Sequence, residues 1–379
     1  MYKRILNLPN LLKKKSFFLL GPRTTGKTFL IEQQLADKAL ILNLLHSEMF
    51  LRLSSKPSEL EEIIQASNKK IVVIDEIQRI PELLNEIHRL IEAKKLIFLL
   101  TGSSARKLRK KEVNLLAGRA WEANLFPLTS QEIDDFDLNR YLLYGGLPAV
   151  YSSSSPDEEL YAYVNTYLRE EIQAEALVRK IPAFSRFLQT AALTSGQILN
   201  FTNIANDTGI PISTVREYYH ILEDTLIGFL VPAWTKSIKR KAVSTAKFFY
   251  FDLGVKNTLA GIKNIEHHSN IYGSAFEHFI VLEVRAYLSY RRIHQPISYW
   301  RSKHGHEVDL LIGDDIAIEI KSTEKVSKKH TKGLSYLAEE KIFKKYFLVC
   351  NDKIGRKQEN IEIIHWQDFL RKLWSDELL

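Results

Sequence analysis

Cysteine is almost absent from this chain: among 379 residues only Cys350 is present. One thiol excludes a disulfide framework and any cysteine-rich metal site. Its neighbours Leu348 and Val349 mark Cys350 as a core residue rather than a nucleophile. No apolar run approaches the length of a membrane span. Nothing at the N-terminus reads as a signal peptide, because Lys13-Lys14-Lys15 interrupts the apolar residues early. The expectation is a cytoplasmic protein without membrane association. Strong charge of one sign is missing too, since a net charge of +8 is mild for this length, and 45% hydrophobic with 26% charged residues is an ordinary globular balance. Charge placement therefore says more than the total. Residues 236–247 hold Lys236, Lys239, Arg240, Lys241 and Lys247 with no acid among them. A phosphate-binding surface and a solvated basic loop both fit that stretch. The length admits roughly two to four compact domains.

What is present is more specific. Residues 21–28 read Gly21-Pro22-Arg23-Thr24-Thr25-Gly26-Lys27-Thr28, a complete G-x-x-x-x-G-K-T phosphate loop. Ser16–Leu20 before it reads as a short apolar strand, and Phe29–Leu35 after it as a helix. Backbone N–H groups of such a turn, with the helix N-terminus, cradle a triphosphate. Lys27 would reach the β- and γ-phosphates, and the Thr28 hydroxyl would bind Mg²⁺. A second motif strengthens the first. Ile71-Val72-Val73-Ile74 reads as a buried parallel strand, with Asp75 and Glu76 at its C-terminal end, where an α/β sheet places its ligand. Asp75 would hold Mg²⁺ through water and Glu76 would polarise the attacking water. The competing reading of this acid pair is a helix N-cap ahead of Ile77–Arg79. A third strand, Leu96–Leu100, ends in Thr101-Gly102-Ser103-Ser104. Ser103 or Ser104 can sense the γ-phosphate, with a turn and helix cap before Ala105–Arg109 as the alternative. Arg119 is the candidate arginine finger, against a surface salt bridge.

The ordered set Gly21–Thr28, Ile74-Asp75-Glu76-Ile77-Gln78, Leu100–Ser104, Gly118-Arg119, Pro127-Leu128-Thr129 and Tyr144-Gly145-Gly146-Leu147-Pro148 resembles a family of prokaryotic AAA-type ATPases with an uncharacterised C-terminal region. The resemblance spans nearly the whole chain. It implies ATPase activity with Lys27, Glu76 and Arg119 as catalytic groups, and a helical lid over 131–180 in which Leu160–Glu175 reads as helix. AAA-type sites often borrow an arginine from a neighbour, so it also implies a homo-oligomer. The Gly-Gly-Leu-Pro segment is a family marker whose chemistry the sequence does not yield.

Residues 201–214 have helix-turn-helix spacing. Thr202 would cap a short helix bearing Ile204 and Ala205, Gly209 would end it, and Ser213 would cap a second helix over Thr214–Thr225. A preceding helix, Ala183–Thr194, supplies Phe184, Phe187, Leu188 and Ala191 for a small core. Leu230–Trp234 and Lys247–Phe251 would pair as strands, completing a winged helix. Arg216 and Tyr219 would lie on the exposed face of the second helix and Lys239, Arg240 and Lys241 on the wing, contacting DNA. Glu217, Glu223 and Asp224 weigh instead toward a protein-interaction module.

The last stretch pairs two strands, Val308–Ile312 and Ile316–Lys321, across Gly313-Asp314-Asp315. Alternation puts Ile316, Ile318 and Ile320 on one face and Glu319 with Lys321 on the other. Such a pair in an apolar strand is costly unless used or paired. Upstream, Gly273–Glu277 opens a helix. The order helix Glu277, strand Asp309, strand Glu319-x-Lys321 resembles the PD-(D/E)XK nuclease core, although Val308 stands where the family name has proline. The resemblance implies metal held by Glu277, Asp309 and Glu319, with Lys321 activating water. Glu283 competes with Glu277 for the helical position. His304 and His306 flank the site, either contacting substrate or lying in a solvated loop. A structural hairpin is the alternative for the whole motif.

The expected architecture is α/β: a P-loop ATPase core over 1–130, the lid over 131–180, a winged helix over 181–260 and a nuclease-like domain over 261–379. The expected function is a Mg²⁺-dependent ATPase acting on DNA, with hydrolysis coupled to DNA binding or remodelling and a C-terminal domain that either cuts DNA or binds branched or end structures. The rival is a nucleotide-controlled switch whose C-terminal domains bind proteins.

Overall fold

The computed structural model describes residues 2–103, 116, 118–168, 181–237 and 242–379. The chain divides into two compact units: residues 1–128 with 224–227, and residues 129–223 with 228–379. The segments read as lid and winged helix thus share one unit with the C-terminal domain.

The first unit runs α1 (Leu8–Leu12), β1 (Ser16–Leu20), α2 (Lys27–Leu35), β2 (Ala39–Asn43), α3 (Ser47–Ser55), α4 (Glu59–Ser67), β3 (Ile71–Asp75), α5 (Leu83–Lys94), β4 (Ile97–Gly102) and β5 (Ala120–Asn124). The five strands form one sheet in the order β2-β3-β4-β1-β5, all parallel. Near-continuous apolar strands such as Ile71-Val72-Val73-Ile74 suit a sheet covered on both faces. Phe18, Val72, Ile74, Phe98 and Leu100 point into one core with Leu83, Ile87 and Leu90 of α5. Because β4 lies between β1 and β3, its end at Thr101–Ser103 sits between the phosphate loop and the Asp75–Glu76 corner.

The second unit continues with α6 (Leu138–Tyr144), α7 (Pro148–Ser152), α8 (Pro156–Ala162), α9 (Ile181–Leu193), α10 (Phe201–Thr208), α11 (Ile212–Asp224), β6 (Gly228–Val231), β7 (Lys247–Tyr250), α12 (Leu253–Ala260) and α13 (Asn270–Tyr290). It ends with β8 (Ile297–Arg301), β9 (Glu307–Ile312), β10 (Ile316–Lys321), α14 (Lys332–Ala338), β11 (Lys345–Cys350), β12 (Arg356–Gln358), β13 (Ile361–His365) and α15 (Trp366–Trp374). A mixed six-stranded sheet has the order β12-β13-β11-β10-β9-β8, while β6 and β7 form a separate antiparallel pair. The chain flanking that pair covers the edge strand β8: Trp234 N–H donates to the Tyr299 carbonyl at 2.7 Å and Val243 N–H to the Arg301 carbonyl at 2.9 Å. Covering an edge blocks its pairing with another chain. Cys350 is fully buried, and burial pushes its thiol up to about 11. Among the described residues no helix is long and apolar enough to cross a membrane.

Several local expectations are corrected. Asn200, not Thr202, caps α10, its side chain accepting from Asn203 N–H at 3.1 Å. Helix α11 starts at Ile212, so Ser213 lies inside it. Tyr219 is buried, because Val215, Tyr218, Tyr219 and Leu222 form the apolar stripe of α11 at helical spacing. The helix read over Leu160–Glu175 is α8 followed by a π-helical turn, Tyr163–Leu168, and the remainder lies outside the described residues.

The Gly-Gly-Leu-Pro segment acquires a physical role. Asp252 is 1% exposed; its carboxylate accepts from Gly146 N–H at 2.8 Å and caps α12 through Val255 N–H at 3.0 Å. Gly145 has φ 73°, and a Cβ there would stand 2.2 Å from Asp252 Oδ1. Only glycine permits both that backbone and that approach. The segment is a wrapping for a buried carboxylate and joins α6–α7 to α12.

Candidate functional site

The phosphate loop leaves the C-terminal end of β1 and enters α2 through Gly26 at φ 92°, with Thr24 at φ 61°. Left-handed residues in such a turn aim successive N–H groups into one concavity, the geometry that holds phosphate. Thr25 and Lys27 are buried. The Lys27 ammonium folds back on the loop, donating to the Gly21 carbonyl at 2.7 Å and the Pro22 carbonyl at 3.0 Å. The Thr28 hydroxyl donates to Asp75 Oδ2 at 2.9 Å. Two hard oxygen donors from the two motifs therefore stand side by side, the donor set that suits Mg²⁺.

Asp75 is 1% exposed, and Thr101 donates to its other oxygen. The same Thr101 hydroxyl accepts the Glu76 N–H at 3.0 Å. Glu76 has φ 62°, a left-handed conformation that costs a side-chain-bearing residue about 1 kcal/mol or more. Its carboxylate accepts from Gln78 Nε2, which also donates to Ser103 Oγ at 3.3 Å. Glu76 and Ser103 thus meet through Gln78, whose buried Oε1 has no hydrogen-bond partner. Ser104 lies outside the described residues.

Three site residues escaped the sequence reading. Thr101 and Gln78 sit inside the quoted motifs without an assigned role. Arg4 is 8% exposed and donates to the carbonyls of Thr25, inside the loop, at 2.8 Å and Phe126 at 2.6 Å. It clamps the loop from beneath, across a separation no local pattern signals. Arg119 stands elsewhere. It precedes Ala120, which pairs with Ser16 at the start of β1, so it lies at the opposite end of the sheet from the loop. Its Nε is 2.5 Å from Glu92 Oε1. A strand length therefore separates Arg119 from the phosphate loop of its own chain.

In the second unit, Glu277 of α13, Glu307 and Asp309 of β9, and Glu319 and Lys321 of β10 come together. Lys321 Nζ is 2.7 Å from Glu319 Oε1 and 3.2 Å from Asp309 Oδ2, which also accepts from Ile320 N–H at 2.8 Å. The sequence reading missed the other cation. Lys247 of β7 is buried, its Nζ 3.0 Å from Glu277 Oε1 and 2.6 Å from Glu307 Oε1. Burial opposes its charge, but Glu277, Asp309 and Glu307 outweigh burial and hold its pKa above the ordinary lysine value. Burial lifts Glu277 to about 7 and Glu319 well above the usual carboxylate range.

The metal reading of Glu277, Asp309 and Glu319 does not fit this arrangement. Among the described residues no group of three His, Cys, Asp or Glu side chains is placed to hold a metal ion. The physical reason is that an ammonium group already sits on one oxygen of each of the three carboxylates. Glu283 is not part of the cluster: it accepts from Ser130 N–H at 2.6 Å and Trp374 Nε1 at 2.9 Å, and burial raises it to about 7. His304 is exposed, and His306 lies on the Tyr336 ring with centroids 4.0 Å apart.

The basic stretch is largely committed or undescribed. Lys236 pairs with Asp314 at 2.6 Å, Lys247 is internal, and Lys239, Arg240 and Lys241 lie outside the described residues. Other cations gather instead. A groove of about 820 Å³ is lined by Phe201, Thr202, Ile212, Arg216, Arg301 and Lys303, among others. Arg216 is exposed, with its guanidinium over the Phe201 ring at 4.7 Å. Arg301 also lines a cavity of about 330 Å³ that contains Lys247, Glu277 and Glu307.

Residues 13–134 match the family model of an AAA domain, residues 135–266 the domain of unknown function DUF8612, and residues 272–369 the domain of unknown function DUF4143. The AAA domain supports nucleotide hydrolysis at the first site. An uncharacterised protein of Mycobacterium tuberculosis is 28% identical over 266 residues, covering 67% of this chain and 59% of that protein. An uncharacterised protein of Methanocaldococcus jannaschii is 23% identical over 339 residues, 80% of this chain and 73% of that protein. The match thus spans about three fifths of the mycobacterial relative. Among solved structures, the Aeropyrum pernix ORC2 protein in ADPNP–ADP complexes overlaps 68% of this chain and 91% of its own at 15% identity, with a TM-score of 0.27. A TM-score that low says nothing of function.

Proposed function

We propose that the chain is a Mg²⁺-dependent ATPase that acts on DNA. The observation carrying the hydrolytic part is the Thr28–Asp75–Thr101–Glu76 hydrogen-bond chain, which joins the phosphate loop to the acidic strand end. Mg²⁺ held by Thr28 and, through water, by Asp75 would supply charge neutralisation at the β- and γ-phosphates. Lys27 would leave the Gly21 and Pro22 carbonyls for those phosphates. Glu76, fixed at its N–H by Thr101, would orient the attacking water. Ser103 would read the γ-phosphate. Arg119, one strand away from its own site, would serve a neighbouring subunit of a homo-oligomer.

The DNA part is supported by the groove carrying Arg216, Arg301 and Lys303. These cations suit phosphodiester charges, and Phe201 supplies an aromatic face beneath Arg216. The undescribed Lys239, Arg240 and Lys241 would add to them. Fluorescence anisotropy with labelled duplex and single-stranded DNA at two salt concentrations tests this. Binding that weakens steeply with salt supports the reading; salt-independent or absent binding overturns it. A nucleotide-controlled switch that binds protein is favoured by one feature, Ile212, which is 41% exposed on the wall of the same groove.

A further inference from the structure

The acid cluster of the second unit has the residue types of a metal centre, but its charge is compensated from within. Lys321 belongs to the strand that carries Glu319. Lys247 does not: it arrives from β7, upstream of all four acids. Its Nζ touches Glu277 and Glu307 and lies 5.2 Å from the centroid of the Tyr299 ring, so three neighbours surround one ammonium. With Lys321 on Asp309 and Glu319, each of the four carboxylates has an ammonium contact.

We propose that Lys247 is the resident cation of this cluster and that the cluster takes no divalent metal while Lys247 is seated. The lysine side chain is 3% exposed. Its backbone is paired on both sides, with Val231 of β6 and with Ile198, and the flanking carbonyls of Ala246 and Phe248 accept from Leu199 and Gly196 N–H groups at 2.9 and 2.8 Å. That pairing fixes where the side chain starts, and turning the ammonium away would leave Glu277 and Glu307 without the cation they share. A dication entering beside it would meet like charge at close range. The acceptor that remains open, Glu319 Oε2, lies beside Gly333 of α14. This assignment does not depend on the ATPase reading.

Mn²⁺ binding to the nucleotide-free full chain tests it, read by loss of the free-ion electron paramagnetic resonance signal. The samples are wild type, Asp309→Asn, Lys247→Met and the double variant. Any ion held at the phosphate loop is common to all four. The expected result is identical isotherms for wild type and Asp309→Asn. Lys247→Met should gain a site at least tenfold tighter than any the wild type shows in this unit, and Asp309→Asn should remove it. A wild-type site that Asp309→Asn abolishes overturns the proposal, because metal would then bind beside the seated lysine. So does a folded Lys247→Met whose isotherm matches wild type. Circular dichroism reports folding, and if Lys247→Met fails to fold, wild type against Asp309→Asn still decides.

Discussion

Replacing Thr101 by valine removes one hydroxyl and almost no volume, yet that hydroxyl joins both acidic residues of the nucleotide site. It donates to Asp75 and accepts the Glu76 N–H at 3.0 Å, and Thr101 itself is fully buried. Losing the bond to a buried carboxylate costs about 1.5–3 kcal/mol, and leaving the Glu76 N–H bare costs about 1 kcal/mol or more. The local destabilisation is therefore on the order of 3 kcal/mol, which is about a 100-fold rise in opening of the ends of β3 and β4. Hydrogen exchange of those amides reads it. Catalysis should suffer as well, because Glu76 holds a left-handed backbone that Thr101 anchors. A displacement of about 1 Å at a positioned group costs on the order of 100-fold in rate. Steady-state ATP hydrolysis should show kcat falling more than KM rises, while Thr101→Ser retains most activity. Unchanged exchange together with unchanged kcat would refute the reasoning, since neither bond would then matter.

Three further outcomes follow from other parts of the molecule. Burial raises Glu283 to about 7, so the folded state keeps a proton that the unfolded state loses above about 4.5. Its contribution to stability is full below that unfolded value and is lost as pH rises through 7; chemical denaturation of wild type minus Glu283→Gln should show the difference, up to about 3 kcal/mol. Gly145→Ala, with its Cβ 2.2 Å from Asp252 Oδ1 and φ at 73°, should destabilise the second unit by at least about 2 kcal/mol, read as a lower urea midpoint. Arg216→Ala and Lys303→Ala should each reduce the dependence of log affinity for duplex DNA on log salt by about 0.9, without changing basal hydrolysis.

The sequence disclosed most where a function is carried by local spacing. Gly21–Thr28 and Ile71–Glu76 are contiguous, and the parallel sheet brings them together as that spacing implies. The β9–β10 hairpin was legible for the same reason, since alternation around Gly313 states both pairing and face. What stayed hidden depends on long separations. Arg4 meets Phe126 only because β5 returns beside β1. Gly146 meets Asp252 from 106 residues away, so Gly-Gly-Leu-Pro is opaque without its partner. Lys247 looked like the last member of a basic run, but pairing of β7 turns its side chain inward onto Glu277 and Glu307. Tyr219 was misplaced by helix phase: Val215, Tyr218, Tyr219, Ile221 and Leu222 are the buried residues of α11, and Tyr219 is one of them. Arg119 was chosen for its residue type, and only strand register reveals which end of the sheet it occupies.

The central claim is that nucleotide hydrolysis in the first unit responds to DNA held by the second. The most direct measurement is ATP turnover with Mg²⁺ in the presence and absence of duplex, single-stranded and branched DNA at two salt concentrations, using wild type, Lys27→Ala and Arg216→Ala. The account predicts turnover that DNA stimulates, stimulation that fades at the higher salt and is reduced in Arg216→Ala, and none at all in Lys27→Ala. Turnover that is abolished in Lys27→Ala but indifferent to every DNA would contradict it and leave a nucleotide-controlled switch for protein partners.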